Sequence, residues 1–320
     1  MVLSTALVSE ALFVPIVLAA TAAAIEARRA ERPVRWVVAT GVLVGAAALT
    51  RTNGLILVLP FSLAVAPVRS RWRLRAVPPQ AAVAVIAAVV IAPWTVRNGI
   101  VFHRFIPLST EIGYTLAGTY DQASRSDHHW PTVWKESEHG ASLEYGEILF
   151  EAEIHRWNEP TYGDHLLTAA TADLTSHPAY VLKVGLWNSL RMFHLAERDF
   201  AVTNLRGTDI PRVPALLEIY GFYPLAVLAL GGMLTRRARR APRWLWLVPV
   251  CLATSVFVTG FIRFRAPIDP FLVILAALAV AGSLERRSRR RDRDGDRADV
   301  QPEKTLVPEL AGVPARGSGA

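Results

Sequence analysis

What the sequence lacks is the first constraint. There is one cysteine in 320 residues, Cys251, and it sits inside an apolar stretch, so no disulfide can brace an external part of the chain. No Cys/His spacing suits zinc, no glycine-rich turn suits a phosphate cradle, and no segment repeats. The zinc-site, nucleotide-loop and solenoid classes therefore drop out, and neither a metal nor a cofactor is expected. Lysine is scarce (Lys135, Lys183 and Lys304 only) beside abundant arginine, which speaks of codon usage and not of mechanism. The N-terminal segment has no charged leader and no cleavage site, so the first apolar run reads poorly as a signal peptide.

What is present is apolar and charged at once. Hydrophobic residues make up 52% and the mean hydropathy is +0.29, yet 19% of residues are charged, a mixture that requires segregation along the chain. Seven apolar runs separate: Leu3 to Ile25, Trp36 to Thr50, Leu55 to Val68, Val77 to Trp94, Leu216 to Leu234, Trp244 to Ile262 and Phe271 to Leu284. Several are shorter than the roughly 20 residues that span hydrocarbon as a helix, which leaves room for tilted, broken or half-buried segments. The expected fold is an α-helical integral membrane protein of about seven transmembrane helices.

Arginine clusters orient it. Arg28, Arg29, Arg32 and Arg35 follow the first run; Arg69, Arg71, Arg73 and Arg75 the third; Arg236, Arg237, Arg239, Arg240 and Arg243 the fifth; Arg286 to Arg297 the seventh. Loading every second junction predicts that those junctions are cytoplasmic. The N-terminus and the region after Arg97 then lie outside a plasma membrane crossed several times, and the C-terminal tail lies inside. The expected organisation is transmembrane helices over 1–96, an extracytoplasmic cap over 97–213, transmembrane helices over 214–285, and a disordered cytoplasmic tail over 286–320, whose later part is rich in Pro, Gly and Ala. The net charge of +8 follows from this topology, and beside a membrane exit the basic runs point to lipid and not to nucleic acid.

Within the cap, Tyr145, Ile148, Leu149 and Ala152 share a helical face, and Ser176-His177-Pro178 predicts a helix start. The amphipathic segment "AYVLKVGLWNSLRMFHLAE" is expected along the membrane surface or as a lid, and "YDQASRSDHHWPTVWKESEHGAS" as a mobile loop. His128 and His129 beside Asp127 have no partner spacing for a metal and read as a solvated loop; Trp130 and Trp134 suit a sugar ring or the interface equally.

Candidate functional residues gather at the predicted outer junctions. Arg51 in "LTRTNG", Arg97 in "PWTVRN", and Arg263 and Arg265 in "FIRFRAPIDP" all fall at that face. A guanidinium grips phosphate with a planar fork of donors. Arginine at a helix centre costs about 2.5 to 3.5 kcal/mol on insertion scales, so polar groups at membrane depth tend to mark function, although each arginine alone can snorkel to headgroups. Glu10 in "STALVSEALFVPIV" suits a general base, a ligand for a metal or sugar hydroxyl, or an inert interfacial carboxylate.

These stretches resemble the C-type glycosyltransferases that use polyprenyl-phosphate sugars, in their protein-mannosyltransferase and aminoarabinose-transferase-like branch. The likeness is carried by Pro93, Trp94, Arg97, Asn98, Phe102, Ser109, Gly113, Tyr114 and Gly118, then by "AALTRTNGLILVLPF" with Thr52 in place of the family's usual proline, by "RFRAPIDPFLVILAA", and by "VSEALFVPIVLAA". The resemblance implies transfer of a sugar from a polyprenyl-phosphate donor to an extracytoplasmic protein, lipid or wall glycan. A leaving phosphate of that kind suits Arg51, Arg97, Asn98, Arg263 or Arg265 as its holders and Trp94, Tyr114 and Tyr120 as substrate contacts; Glu10, the candidate catalytic carboxylate, matches only the family's later acidic position. Arg97→Ala is then expected to abolish transfer. The family's main catalytic acid lies in a first external loop with no counterpart before Leu3, so an N-terminally truncated form is expected. A non-catalytic protein of the same fold that binds lipid-linked sugar, or a transporter or flippase, is the alternative.

Overall fold

The structure is a computed structural model that describes residues 9–72, 77–135, 143–206 and 211–299. It is 79% helical, with no strand among the described residues. Three helices are long and apolar enough to cross a membrane, Glu10–Arg29, Pro79–Phe102 and Val213–Met233, while Val34–Thr50, Thr52–Val68 and Arg243–Phe257 are shorter apolar stretches.

The first bundle holds α1 (Glu10–Arg29), α2 (Val34–Thr50), α3 (Val58–Val65) and α4 (Pro79–Phe102), with α2 packed between α1 and α4. The close approach of α2 to α4 depends on Gly41 and Gly45, spaced as the small-residue pair that lets membrane helices touch backbone to backbone. A Cβ on Gly41 would stand 2.8 Å from Ile86 Cβ, and one on Gly45 2.7 Å from Val90 Cβ. The third apolar run is a broken helix: 3₁₀ turns over Thr52–Leu57 and Ala66–Arg71 flank α3. Phe13, Val17, Val44, Leu57, Phe61 and Val83 form the centre of this bundle's core.

The middle region is built from α5 (Ile112–Ala117), α6 (Gln122–Ser126), α7 (Leu143–Ile154), α8 (Glu159–Ser176), α9 (Pro178–Met192) and α10 (Arg198–Arg206). Helix α9 opens on Pro178, whose missing N–H costs nothing at a first helical position. Tyr145 is buried on α7 against Leu166 and Ala170 of α8. The segment 120–135 is not loose. Ser124 Oγ bonds the carbonyls of Gly118 and Val133 at 2.9 and 3.0 Å, and Lys135 N–H donates to Gly118 O at 2.7 Å, so local hydrogen bonds pin what composition alone reads as a loop. The rest of that stretch, 136–142, lies outside the described residues.

The C-terminal part holds α11 (Arg212–Met233), α12 (Arg236–Arg240), α13 (Arg243–Ala253) and α14 (Asp269–Asp299); of these, α13 packs on α3 and adds Trp244, Val248 and Leu252 to the core of the first bundle. Helices α11 and α14 pack together, with Gly232 against the Leu275 backbone. Residues 286–299, expected to be disordered, continue α14 as helix; no proline interrupts them and arginine is a good helix former. The remainder of the tail, 300–320, lies outside the described residues.

Side-chain contacts define two ends of the molecule. At one, Glu10 of α1 meets Arg51 after α2, and the middle region docks onto residues 254–265 after α13. At the other, Arg28 and Arg243 line one cleft, and Arg237 pairs with Glu285 at 2.7 Å.

Candidate functional site

The junction after α4 is a latch. Trp94 Nε1 donates to Leu108 O at 2.7 Å, Thr95 Oγ1 to Pro107 O at 2.9 Å, and Asn98 Nδ2 to Ile106 O and Leu108 O at 3.1 and 3.4 Å. Helix α4 stops at His103, which takes the left-handed conformation (φ 54°), and the chain folds back onto the helix. Asn98 is buried beneath this return. Arg97 is exposed; it lies over the Trp94 and Phe102 rings at 5.1 and 5.9 Å and donates to Asn98 Oδ1 at 3.1 Å. Its partners among the described residues are all on its own helix, so Trp94, Arg97 and Asn98 form one local unit.

The second cluster joins three distant segments. Arg51 breaks α2 by adopting an extended conformation (φ −151°, ψ 129°), and its guanidinium pairs with Glu10, whose residue is only 2% exposed. Ser9 Oγ donates to the second Glu10 oxygen at 3.3 Å. The Arg51 guanidinium lies 4.3 Å from the Phe264 ring centre and that of Arg263 lies 5.4 Å from the same ring. Two cations thus share one aromatic ring, and one of them, Arg51, holds the carboxylate. Arg263 has no carboxylate partner among the described residues, and its Nε is buried without an acceptor. This site carries net positive charge next to an aromatic surface, which suits a partly desolvated anion.

Arg265 goes elsewhere. Ile262–Arg265 is a 3₁₀ turn with about three residues per turn, so side chains two apart diverge. Arg265 Nε donates to Asp269 Oδ1 at 2.9 Å, Nη1 donates to Met192 O at 3.1 Å, and Nη2 lies 3.6 Å from Glu218. Its guanidinium covers the Phe222 ring at 4.2 Å. His194 sits beside it with both ring nitrogens unpartnered among the described residues; burial, then the Arg265 charge, hold its pKa down at about 3. This is a structural ion cluster that ties the end of α9 to α11 and α14.

A further buried arginine was not singled out from the sequence. The Arg191 side chain is 0% exposed. Its Nε and Nη2 bond the two Glu197 oxygens at 2.6 and 2.9 Å, and Nη1 bonds Thr132 Oγ1 at 2.8 Å and Asn188 Oδ1 at 3.1 Å. Thr132, His194 and Glu197, around it, all have positive φ (66°, 56° and 51°). The signal for it was Asn188 and Arg191 one turn apart on the buried face of an amphipathic helix. Glu218 was missed for a similar reason, being a carboxylate inside an apolar run.

The remaining candidates are spread through the middle region. Tyr114 packs edge-on to Trp134 at 5.3 Å. Tyr120 is buried against Tyr180, its hydroxyl donating to Phe257 O at 2.6 Å, and burial pushes its pKa up to about 12. His128 and His129 are exposed, while Asp127 accepts from the His129 and Trp130 N–H groups at 2.7 and 3.0 Å and pairs with Lys135. Of the residues named from the sequence, the structure brings together Glu10, Arg51 and Arg263, and separately Trp94, Arg97 and Asn98. No family model, curated protein or solved structure matches the chain.

Proposed function

We propose that the chain is a membrane-embedded glycosyltransferase whose donor is a polyprenyl-phosphate sugar, bound at the Glu10–Arg51–Arg263 site. The observation that carries this reading is the pair of guanidinium groups over Phe264, of which only Arg51 is paired with a carboxylate, Glu10. A sugar phosphate leaving group gains negative charge as the C1–O bond breaks, and two fixed cations stabilise that charge. The acceptor hydroxyl oxygen forms the new bond to C1 and its proton passes to Glu10, while the lipid phosphate departs held by Arg51 and Arg263.

About seven spans, with the N-terminus and residues 97–213 outside and the tail inside, fit this reading. The arginine-rich junctions after the first and fifth runs meet at one end, at the Arg28 and Arg243 cleft, and the Glu10–Arg51 pair lies at the other. A second reading, binding of lipid-linked sugar without transfer, is favoured by the burial of Glu10 in an ion pair. The test is binding of polyprenyl phosphate to the full chain in nanodiscs, followed by sugar release from a panel of lipid-linked donors. Arg263→Gln should weaken binding at least about tenfold. Wild-type binding without turnover selects the second reading, and undiminished binding by the variant removes both.

A further inference from the structure

A cleft of about 440 Å³ opens at the opposite end of the molecule, lined by Arg28, Leu63, Pro242, Arg243, Trp244 and Leu247. Its walls come from the end of α1, the middle of α3 and the start of α13, so three helices contribute to one cavity. We propose that it is a binding site for one anionic phospholipid, distinct from the Glu10–Arg51–Arg263 site and independent of any transfer reaction.

Five observations point to that ligand. The rim carries two guanidinium groups and the lining contains no carboxylate. Arg28 Nη1 donates to Ala64 O at 2.9 Å, which fixes that side chain at the cleft edge, and exposed Arg243 pairs with no acid among the described residues. Helix α13 follows Pro242 as its N-cap with no side-chain cap, so the positive end of its dipole adds to the same field. Trp244, a residue only 6% exposed, has an indole Nε1 with no acceptor among the described residues, although a buried indole N–H normally has one. Leu63 and Leu247 line the same cleft and supply apolar wall for the beginning of an acyl chain.

An anionic head joined to an apolar chain matches this combination of groups; a free phosphate satisfies only the two cations. The volume lies in the range of pockets that hold small ligands. Arg28 and Arg243 belong to two separate basic junctions, so a bound headgroup joins helices that are far apart in sequence.

The test uses the full chain in detergent, with native mass spectrometry after exchange against phosphatidylglycerol or phosphatidylcholine. The wild type should retain one phosphatidylglycerol, preferred by about tenfold. Arg28→Gln with Arg243→Gln should reduce retention about fivefold or more, while the charge-matched pair Arg236→Gln with Arg240→Gln, outside the cleft, should not. In wild-type nanodiscs, a low fraction of brominated phosphatidylglycerol should quench tryptophan fluorescence more than brominated phosphatidylcholine, and Trp244→Phe should remove the difference. Millimolar inorganic phosphate should displace nothing. Equal loss in both arginine pairs, absence of a headgroup preference, or displacement by inorganic phosphate would overturn the assignment.

Discussion

Glu10 and Arg51, 41 residues apart in the chain, close an ion pair in which the carboxylate residue is 2% exposed and the arginine side chain 11%. Removing one partner strands a buried charge, which typically costs about 3 to 5 kcal/mol. Glu10→Gln leaves Arg51 facing Arg263 as well. The double variant Glu10→Gln, Arg51→Gln should therefore be more stable than additivity predicts, by about 1 kcal/mol or more in a thermal or denaturant cycle in detergent. Strict additivity would show that the pair is not coupled.

The same pair separates two roles for Glu10. If it acts only as a counter-ion, Glu10→Gln should tighten polyprenyl phosphate binding, because Arg51 loses its internal acid. If it also takes the acceptor proton, turnover should fall while binding tightens. Equilibrium binding and single-turnover sugar transfer, measured side by side, distinguish the cases.

Asn98 bonds two carbonyls of the returning chain, and Arg97 reaches only Asn98 and two rings of its own helix. Asn98→Ala should cost about 1 to 3 kcal/mol locally and speed hydrogen exchange over residues 103–110. Arg97→Ala should disturb the latch less and leave polyprenyl phosphate affinity within about twofold. Loss of binding in Arg97→Ala, with Arg263→Gln unaffected, would move the phosphate site to this junction.

His194 stays neutral when folded, with a pKa near 3 against an ordinary 6.5, because burial and then Arg265 oppose its protonation. The other charged groups of its cluster are Glu218 and Asp269, both engaged with Arg265. The unfolded chain binds the proton below 6.5 while the folded one does not, so stability falls as pH drops from 6.5 toward 3 and is level above that window. His194→Asn, which tolerates the positive φ, should flatten this dependence in pH-resolved thermal unfolding.

At the α2–α4 contact, Gly45→Val would place a Cβ 2.7 Å from that of Val90. Overpacking of this kind costs about 1 to 3 kcal/mol. The loss should appear as a lower unfolding temperature in detergent, whereas Gly221→Ala, with open space around it, should shift it little.

Local features were legible because local physics sets them. The helical class, the start of α9 at Pro178 and the buried face of α7 follow from periodicity and capping, each decided within a few residues. The order of segment 120–135 and the continuation of α14 to Asp299 were not, since composition alone does not reveal the hydrogen bonds or the absence of a helix-breaking context.

The sequence by itself determined where apolar helices form and that arginines crowd particular junctions, because hydropathy and charge are properties of each segment alone. Only the tertiary packing decided which of those arginines act together. Arg51 and Arg263 share Phe264, Arg265 is held by Glu218 and Asp269, and Arg97 is kept on its own helix. Successive residues of a helix turn by about 100°, so the partner of a long side chain depends on helix rotation and register, which no single segment encodes.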